Sequence, residues 1–340
     1  MNKASGLARH FLLGVAVVVL GLTAQAAKAA EPNDCSLKLL TSIDLIGGEN
    51  GPAIIPVTIN GNRAGLALRL DSIASVIAPS SVDKWSLPRR MAPPNVVRFG
   101  EKTVVHMAEY EELTVGDLKY PRGFFLVAPT PIDTPSVEGV EVIGWLSGSA
   151  FRGVDFELDL AHKKFNVFSQ DHCPGQVVYW SDQYSSAELL HGKTGELFFP
   201  MELEGKKVYA AISNSRPITT IGTDVTRAFY GFDKSSPGIE EVRAPDGSSY
   251  HYRAMQLTAP GLTVTNARVQ LVDHDDGECP LDRGRKLARY RCAGGYPMYL
   301  GSDVLRQLRL YFARKEGKLY YTSAEATSKA SETRVHVVPQ

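Results

Sequence analysis

Short runs in which apolar and polar residues alternate fill most of this chain, and Gly, Pro and Asn punctuate them. Residues 53–59 form a β-rich run, Asn60-Gly61-Asn62 reads as a hairpin turn, and 66–70 read as the next strand. Residues 80–87 predict a short helix capped by Ser80 or Ser81. Further on, 96–110 read as a hairpin, 113–118 and 124–127 as a meander, and 140–144 as an apolar run ending in Gly144. Residues 151–160 and 165–168 read as a closing hairpin. Helical periodicity after the first 30 residues is confined to short pieces, so the pattern predicts an all-β architecture.

The pattern occurs twice. A shift of 144 residues carries Pro56 to Pro200, Gly61 to Gly205, Ser75 to Thr219, Ile77 to Ile221 and Trp85 to Phe229 without a gap. Leu113-Thr114 and Leu118 recur as Leu257-Thr258 and Leu262. Further along, Met298-Tyr299-Leu300-Gly301 is aligned with the apolar step ending in Gly144, and Lys318-Leu319-Tyr320 with Lys164-Phe165. A duplicated unit of this length predicts two lobes. The expected boundaries are a leader at 1–30, a first lobe at 31–173, a linker at 174–195, a second lobe at 196–325 and a flexible tail at 326–340.

The repeated unit, with its turn glycine, its strands Leu66-Ala67-Leu68-Arg69-Leu70 and Tyr209-Ala210-Ala211-Ile212, and the apolar pieces that follow, resembles the retropepsin-like and pepsin-like aspartic peptidases. The resemblance covers nearly all of the chain after residue 30 and implies two homologous β-barrel-like lobes with a cleft between them. It makes 96–110 the flap over that cleft and sets Gly144 and Gly301 beside the two active-site loops. It also marks where the catalytic aspartates belong, and those positions hold Arg69 and Ser213.

Aspartic-peptidase chemistry needs two carboxylates facing one water, because close like charges cannot both ionise and so share a proton. Arg69 would put a permanent cation at one position, and the Ser213 hydroxyl is too weakly acidic to serve as base at the other. A gapped alignment instead reads Asp71-Ser72-Ile73-Ala74-Ser75 as an altered Asp-Ser-Gly motif and makes Asp71 catalytic, facing Ser213 or Ser215. The plain alternative for Asp71 is a turn carboxylate accepting backbone hydrogen bonds. Arg69 and Asp71 are two apart, so on a continuing strand they share a face and can pair with each other or with a ligand carboxylate. Ser72 and Ser215 complete the candidate cleft residues.

The first 30 residues combine Lys3, Arg9 and His10 with an apolar core and small residues around Ala26 and Ala29, the pattern of a signal peptide; an uncleaved anchor is the alternative. No later segment is apolar for long enough to span a bilayer as a helix. Lys and Arg number 37 against 37 Asp and Glu, a balance that argues against nucleic acid as a partner. Four cysteines, Cys35, Cys173, Cys279 and Cys292, fit disulfides in an oxidising compartment; of three pairings, position favours Cys35 with Cys173 and Cys279 with Cys292. There is no nucleophile elbow, no zinc-peptidase motif and no phosphate loop, and Asp273-His274-Asp275-Asp276-Gly277 lacks calcium-loop spacing. Arg283-Gly284-Arg285-Lys286 reads as an exposed loop between two cysteines. The expectation is an exported, periplasmic or secreted monomer without cofactor or metal. It would be proteolytically inactive and take a peptide or protein in its cleft. The rival readings are an aspartic endopeptidase built on Asp71 and a purely structural protein.

Overall fold

The computed structural model describes residues 36–49, 51–93, 98–99, 102–191, 197–244, 247–273, 298–324 and 334–339. They belong to one compact unit, Cys35–Gln340. The leader, Cys35, Cys279, Cys292, His274 to Gly277 and the 283–286 run lie outside the described residues. Cys173 is disulfide-bonded; which cysteine it pairs with rests on the sequence expectation alone.

Two nine-stranded sheets share one strand order. In the first it runs Ile46–Gly47, Ala53–Ile59, Asn62–Arg69, Val140–Ser147, Val76–Ile77, Leu118–Val127, His106–Val115, Arg89–Met91. In the second it runs Leu190–His191, Leu197–Leu203, Lys206–Ile212, Met298–Leu300, Thr220–Gly222, Leu262–Val272, Gly247–Ala259, Ile239–Ala244. Each of these sheets has a further short strand, Ser136–Val137 in the first and Arg334–Val337 in the second. Registers repeat as well: Ile54 opposes Ala67 as Phe198 opposes Ala211, and Leu126 opposes Val76 as Gln270 opposes Thr220. Both lobes open on a hairpin whose tip residues have positive φ, Asn60 (48°) and Gly61 (84°) in one and Glu204 (48°) and Gly205 (74°) in the other. That geometry is the tight turn whose twist matches the flanking strands. The fold is all-β, with two lobes that share one topology.

In each lobe the strand that leads to the loop tip lies parallel to a later strand, which in turn pairs antiparallel with the short strand beyond the tip. Leu68 therefore opposes Leu146, and Ile212 opposes Leu300. These pairings make Ser147 the counterpart of Gly301, and Met298 the counterpart of Gly144. The sequence alignment of the two glycines was displaced because both follow apolar runs. Each glycine does have a steric reason. A Cβ on Gly144 would stand 2.0 Å from Val76 O, and one on Gly301 would stand 2.4 Å from Ile218 C. Both are sites of close backbone approach.

The lobes are joined by a six-stranded sheet ordered Leu39–Asp44, Lys164–Phe168, Asp155–Asp159, Leu308–Ala313, Lys318–Ser323, Ser185–Glu188. Its two central strands are each other's counterparts and pair antiparallel, with Phe156 opposite Phe312, Glu157 opposite Tyr311 and Leu158 opposite Leu310. A pseudo-twofold axis therefore passes through the Glu157–Tyr311 pair. Strand alternation sends Phe156 and Leu158 into the core and puts Asp155, Glu157 and Asp159 on the other face, where all three carboxylates are buried. Buried charge needs partners. Glu157 accepts from Arg309 Nε at 2.7 Å and Tyr179 OH at 2.6 Å, Asp155 holds His172 Nε2 at 2.7 Å, and Asp159 holds His162 Nδ1 at 2.8 Å. Arg309 lies over the Trp180 ring, 4.3 Å from its centroid, so the segment expected as a linker covers these charges.

Three local expectations change. The helix is Pro79–Lys84, and Ala78 rather than a serine precedes it without a side-chain cap. Proline at the first helical position has no N–H to satisfy, so a cap there gains little. Ser185–Glu188 and Leu190–His191 make strands inside the expected linker. Arg334–Val337, expected in a frayed tail, pairs with Leu262–Val272.

Replacing Arg309 with Met leaves Glu157 buried without its cation and should lower unfolding free energy by about 3 kcal/mol. The Glu157→Gln/Arg309→Met double variant should lose clearly less than the sum of the singles in a denaturant-unfolding cycle. Simple additivity would mean that the pair is not coupled.

Candidate functional site

The two loop tips meet where the lobes join. On the strand Asn62–Arg69, Leu66 and Leu68 point into the core, followed by Leu70 just beyond it, while Ala67 and Arg69 occupy the opposite face. The strand stops at Arg69 because the chain turns there, with Ser72 N–H donating to Arg69 O at 3.1 Å. In the second lobe the strand ends at Ile212, and Ser213 N–H donates to Leu300 O at 3.0 Å.

Asn214 holds the tips together. Its Oδ1 accepts from Leu70 N–H at 3.0 Å and its Nδ2 donates to Leu68 O at 2.7 Å, with both bonds buried. Its own carbonyl accepts from Ser302 Oγ at 3.2 Å. Leu70 and Asn214 are counterparts under the repeat, so this grip places Arg69 and Ser213 in equivalent positions, as the gap-free alignment has them.

Asp71 reaches across the same junction. Its Oδ2 accepts from Ser213 Oγ at 2.8 Å and from Ser215 Oγ at 3.0 Å, and Ser215 also reaches Oδ1 at 3.2 Å. The Ser213 and Ser215 hydroxyls are themselves 3.3 Å apart. Ser213 is fully buried, whereas Asp71 and Ser215 are half-buried. Among the described residues the hydrogen-bond partners of Asp71 are these two hydroxyls. The structure thus brings together Asp71, Ser213 and Ser215, and it separates Arg69 from Asp71. The turn after Arg69 breaks the strand alternation on which their shared face depended. The Arg69 guanidinium lies over the Trp145 ring instead, 4.9 Å from the centroid. Ser72 serves the turn, donating to Ala74 O at 2.9 Å and accepting from Trp145 Nε1 at 3.0 Å.

The sequence reading missed five contributors. Asn214 carries a signal, since an amide at a duplicated tip where the other copy has leucine is out of pattern. Trp145 and Tyr299 occupy equivalent places, opposite Ala67 and Ala211 respectively. Arg216 lies over Tyr299, 4.3 Å from the ring centroid. Asp303 stands where the first lobe has Ser149, and its Oδ1 accepts from Thr219 N–H and Thr219 Oγ1, both at 2.9 Å. Its Oδ2 is buried without a partner among the described residues. Burial raises the Asp303 carboxyl to about 6, against the opposing pull of the Thr219 hydrogen bonds.

A separate pocket of about 510 Å³ opens on the first lobe beside Ile73, Tyr110, Tyr120, Phe124 and Arg152 and includes neither Asp71 nor the second tip. No group of His, Cys, Asp and Glu side chains among the described residues is arranged to hold a metal ion. No helix among them is long and apolar enough to cross a membrane.

No protein-family model and no curated protein matches the sequence. Among solved structures the chain is similar to basic 7S globulin from soybean, at 12% identity over 84% of this chain and 96% of that one, with a TM-score of 0.44. It is also similar to conglutin gamma, a basic 7S globulin from lupine seeds, at 10% identity over 85% and 96%, with a TM-score of 0.45. Likenesses this distant carry no argument about the site, which rests on the geometry above.

Replacing Asn214 with Leu should cost about 3 kcal/mol of unfolding free energy, since it strands a buried N–H and a buried carbonyl of the other lobe. A denaturant midpoint that does not move would show that the grip contributes nothing. Asp303 predicts a pH effect of definite sign. Its folded pKa of about 6 exceeds the ordinary aspartate value of 3.8, so its contribution is fully present below the lower value and is lost as pH rises through the upper one. The stability of the wild type relative to Asp303→Asn should fall by about 2–3 kcal/mol between pH 4 and pH 7. A difference independent of pH would contradict the assignment.

Proposed function

We propose that this chain is an exported, proteolytically inactive aspartic-peptidase-like protein that binds a peptide or protein in the cleft between its lobes. The observation that carries the reading is the pairing at the junction: Asp71 faces the hydroxyls of Ser213 and Ser215, with Arg69 and Ser213 at the equivalent tip positions. A carboxylate opposite a hydroxyl cannot share a proton as two carboxyls do, because the hydroxyl stays protonated across the whole working range. The two-lobed scaffold and its loop tips nonetheless keep the form that the resemblance associates with holding an extended polypeptide, for which strand-like pairing is the natural mode.

The competing reading, an aspartic endopeptidase centred on Asp71, is favoured by that residue's place at the junction. It requires a second acid to come into contact with Asp71.

Purified protein incubated with an unfolded protein substrate between about pH 3 and pH 6, the range in which a carboxyl dyad works, should yield no fragments. Cleavage that pepstatin blocks and Asp71→Asn abolishes would establish the competing reading.

A further inference from the structure

We propose that the loop-tip junction presents receptors for carboxylate groups of the bound polypeptide, Arg69 on one lobe and Arg216 on the other. This deepens the cleft-binding reading and rests on it.

The two guanidiniums come from positions that are not counterparts in the repeat, yet they arrive at counterpart places. Arg69 stacks on Trp145 and Arg216 on Tyr299. Those rings are equivalent, since Trp145 opposes Ala67 and Val76 while Tyr299 opposes Ala211 and Thr220. One cation therefore sits on each lobe, related by the pseudo-twofold axis. Both belong to the tips that Asn214 ties together. Arg69 lies between Leu68 and Leu70, the two residues that bond Asn214, and Arg216 follows Ser215, which bonds Asp71.

Stacking leaves the donors available. A planar guanidinium laid against a ring directs its N–H groups sideways, in its own plane, where a carboxylate can meet two at once. Among the described residues neither arginine has an acidic partner or a side-chain hydrogen bond, and Arg216 Nε is buried with no acceptor at all. A buried donor without a partner marks a place where a ligand group or a water belongs. One carboxylate, Asp71, cannot offset two guanidiniums, and its hydrogen bonds go to Ser213 and Ser215 rather than to either arginine. The junction thus carries two cations against one hydroxyl-bound anion, which selects an acidic group.

The test uses the purified full chain on an array of immobilised hexapeptides of varied sequence. Each is present in four forms: with a free C-terminal carboxylate, with an amidated C-terminus, with an internal glutamate, and with glutamine in its place. Carboxylate forms should be retained about tenfold better than their amide counterparts. Arg69→Gln and Arg216→Gln should each reduce that preference, and Arg69→Lys should keep part of it. Thermal melts identify any variant that fails to fold, in which case the wild-type comparison of carboxylate with amide still decides. Preference for free C-termini alone, or for internal glutamate alone, supports the proposal and identifies the source of the group. Equal binding of carboxylate and amide forms overturns the proposal and leaves cleft binding standing. No binding of any form overturns both.

Discussion

The two hydrogen bonds of Asn214 to the backbone on either side of Arg69 are the constraint on which the junction depends. Leu70 N–H and Leu68 C=O lie where the two lobes exclude water, and buried main-chain groups have to be paired. A carboxamide meets the need with one side chain because it offers a donor and an acceptor a fixed distance apart. Satisfying both groups fixes the register of one tip against the other to within a hydrogen-bond length. The reach of Asp71 to Ser213 and Ser215 then follows, as does the opposition of Arg69 and Ser213. The Glu157–Tyr311 pairing does the same work on the axis in the six-stranded sheet, where counterpart strands bond to each other. One symmetry is thus imposed at two places, by side chain at the tips and by main chain in the sheet.

Within that symmetric frame the chemistry is one-sided. At each pair of counterparts around the junction the lobes hold different groups: Arg69 and Ser213, Leu70 and Asn214, Asp71 and Ser215, Ser149 and Asp303. The second lobe supplies the hydroxyl donors and the amide, and the first supplies the carboxylate and the backbone groups they meet. Side chains that cross the axis in one direction have no need of a matching partner in the other, so each lobe is free to diverge. Asp303 shows the same freedom away from the tips. Its carboxylate takes the place of a serine, binds the Thr219 hydroxyl and is buried with one oxygen unpaired among the described residues.

The strand pattern, the duplication and the identity of the tip positions were legible in the sequence because they rest on period-two alternation and a constant spacing, both local properties. The gap-free alignment of residues 53–77 with their counterparts reappears in the registers of the paired strands. The correspondence of Gly144 with Gly301 was not legible, since an apolar run followed by glycine marks close approach of backbone without saying which strand approaches. The strand Arg334–Val337 was hidden by the small and charged residues before it; its own alternation puts Val335 and Val337 against the core while its main chain pairs with Leu262–Val272. Arg69 and Asp71 were expected to share a face because alternation was extended two residues past the end of the strand at Arg69. Arg216, Trp145 and Tyr299 escaped notice because contacts between a cation and a ring far apart in the chain leave no spacing signature.

What the junction can do follows from its inventory of charges. To activate water, one group must accept a proton at the pH where its neighbour still holds one, which requires two acids of similar strength made unequal by proximity. Here the neighbours of the Asp71 carboxylate are alcohols, which remain donors whether or not Asp71 is charged, so the arrangement fixes the carboxylate in place and moves no proton. The arginines act in the same static way, since a guanidinium keeps its charge at any pH at which the protein folds. A junction built from one anchored anion, two stacked cations and a set of fixed hydroxyl donors has a nearly constant field. On the proposed cleft-binding reading, such a site discriminates among bound groups by charge and shape.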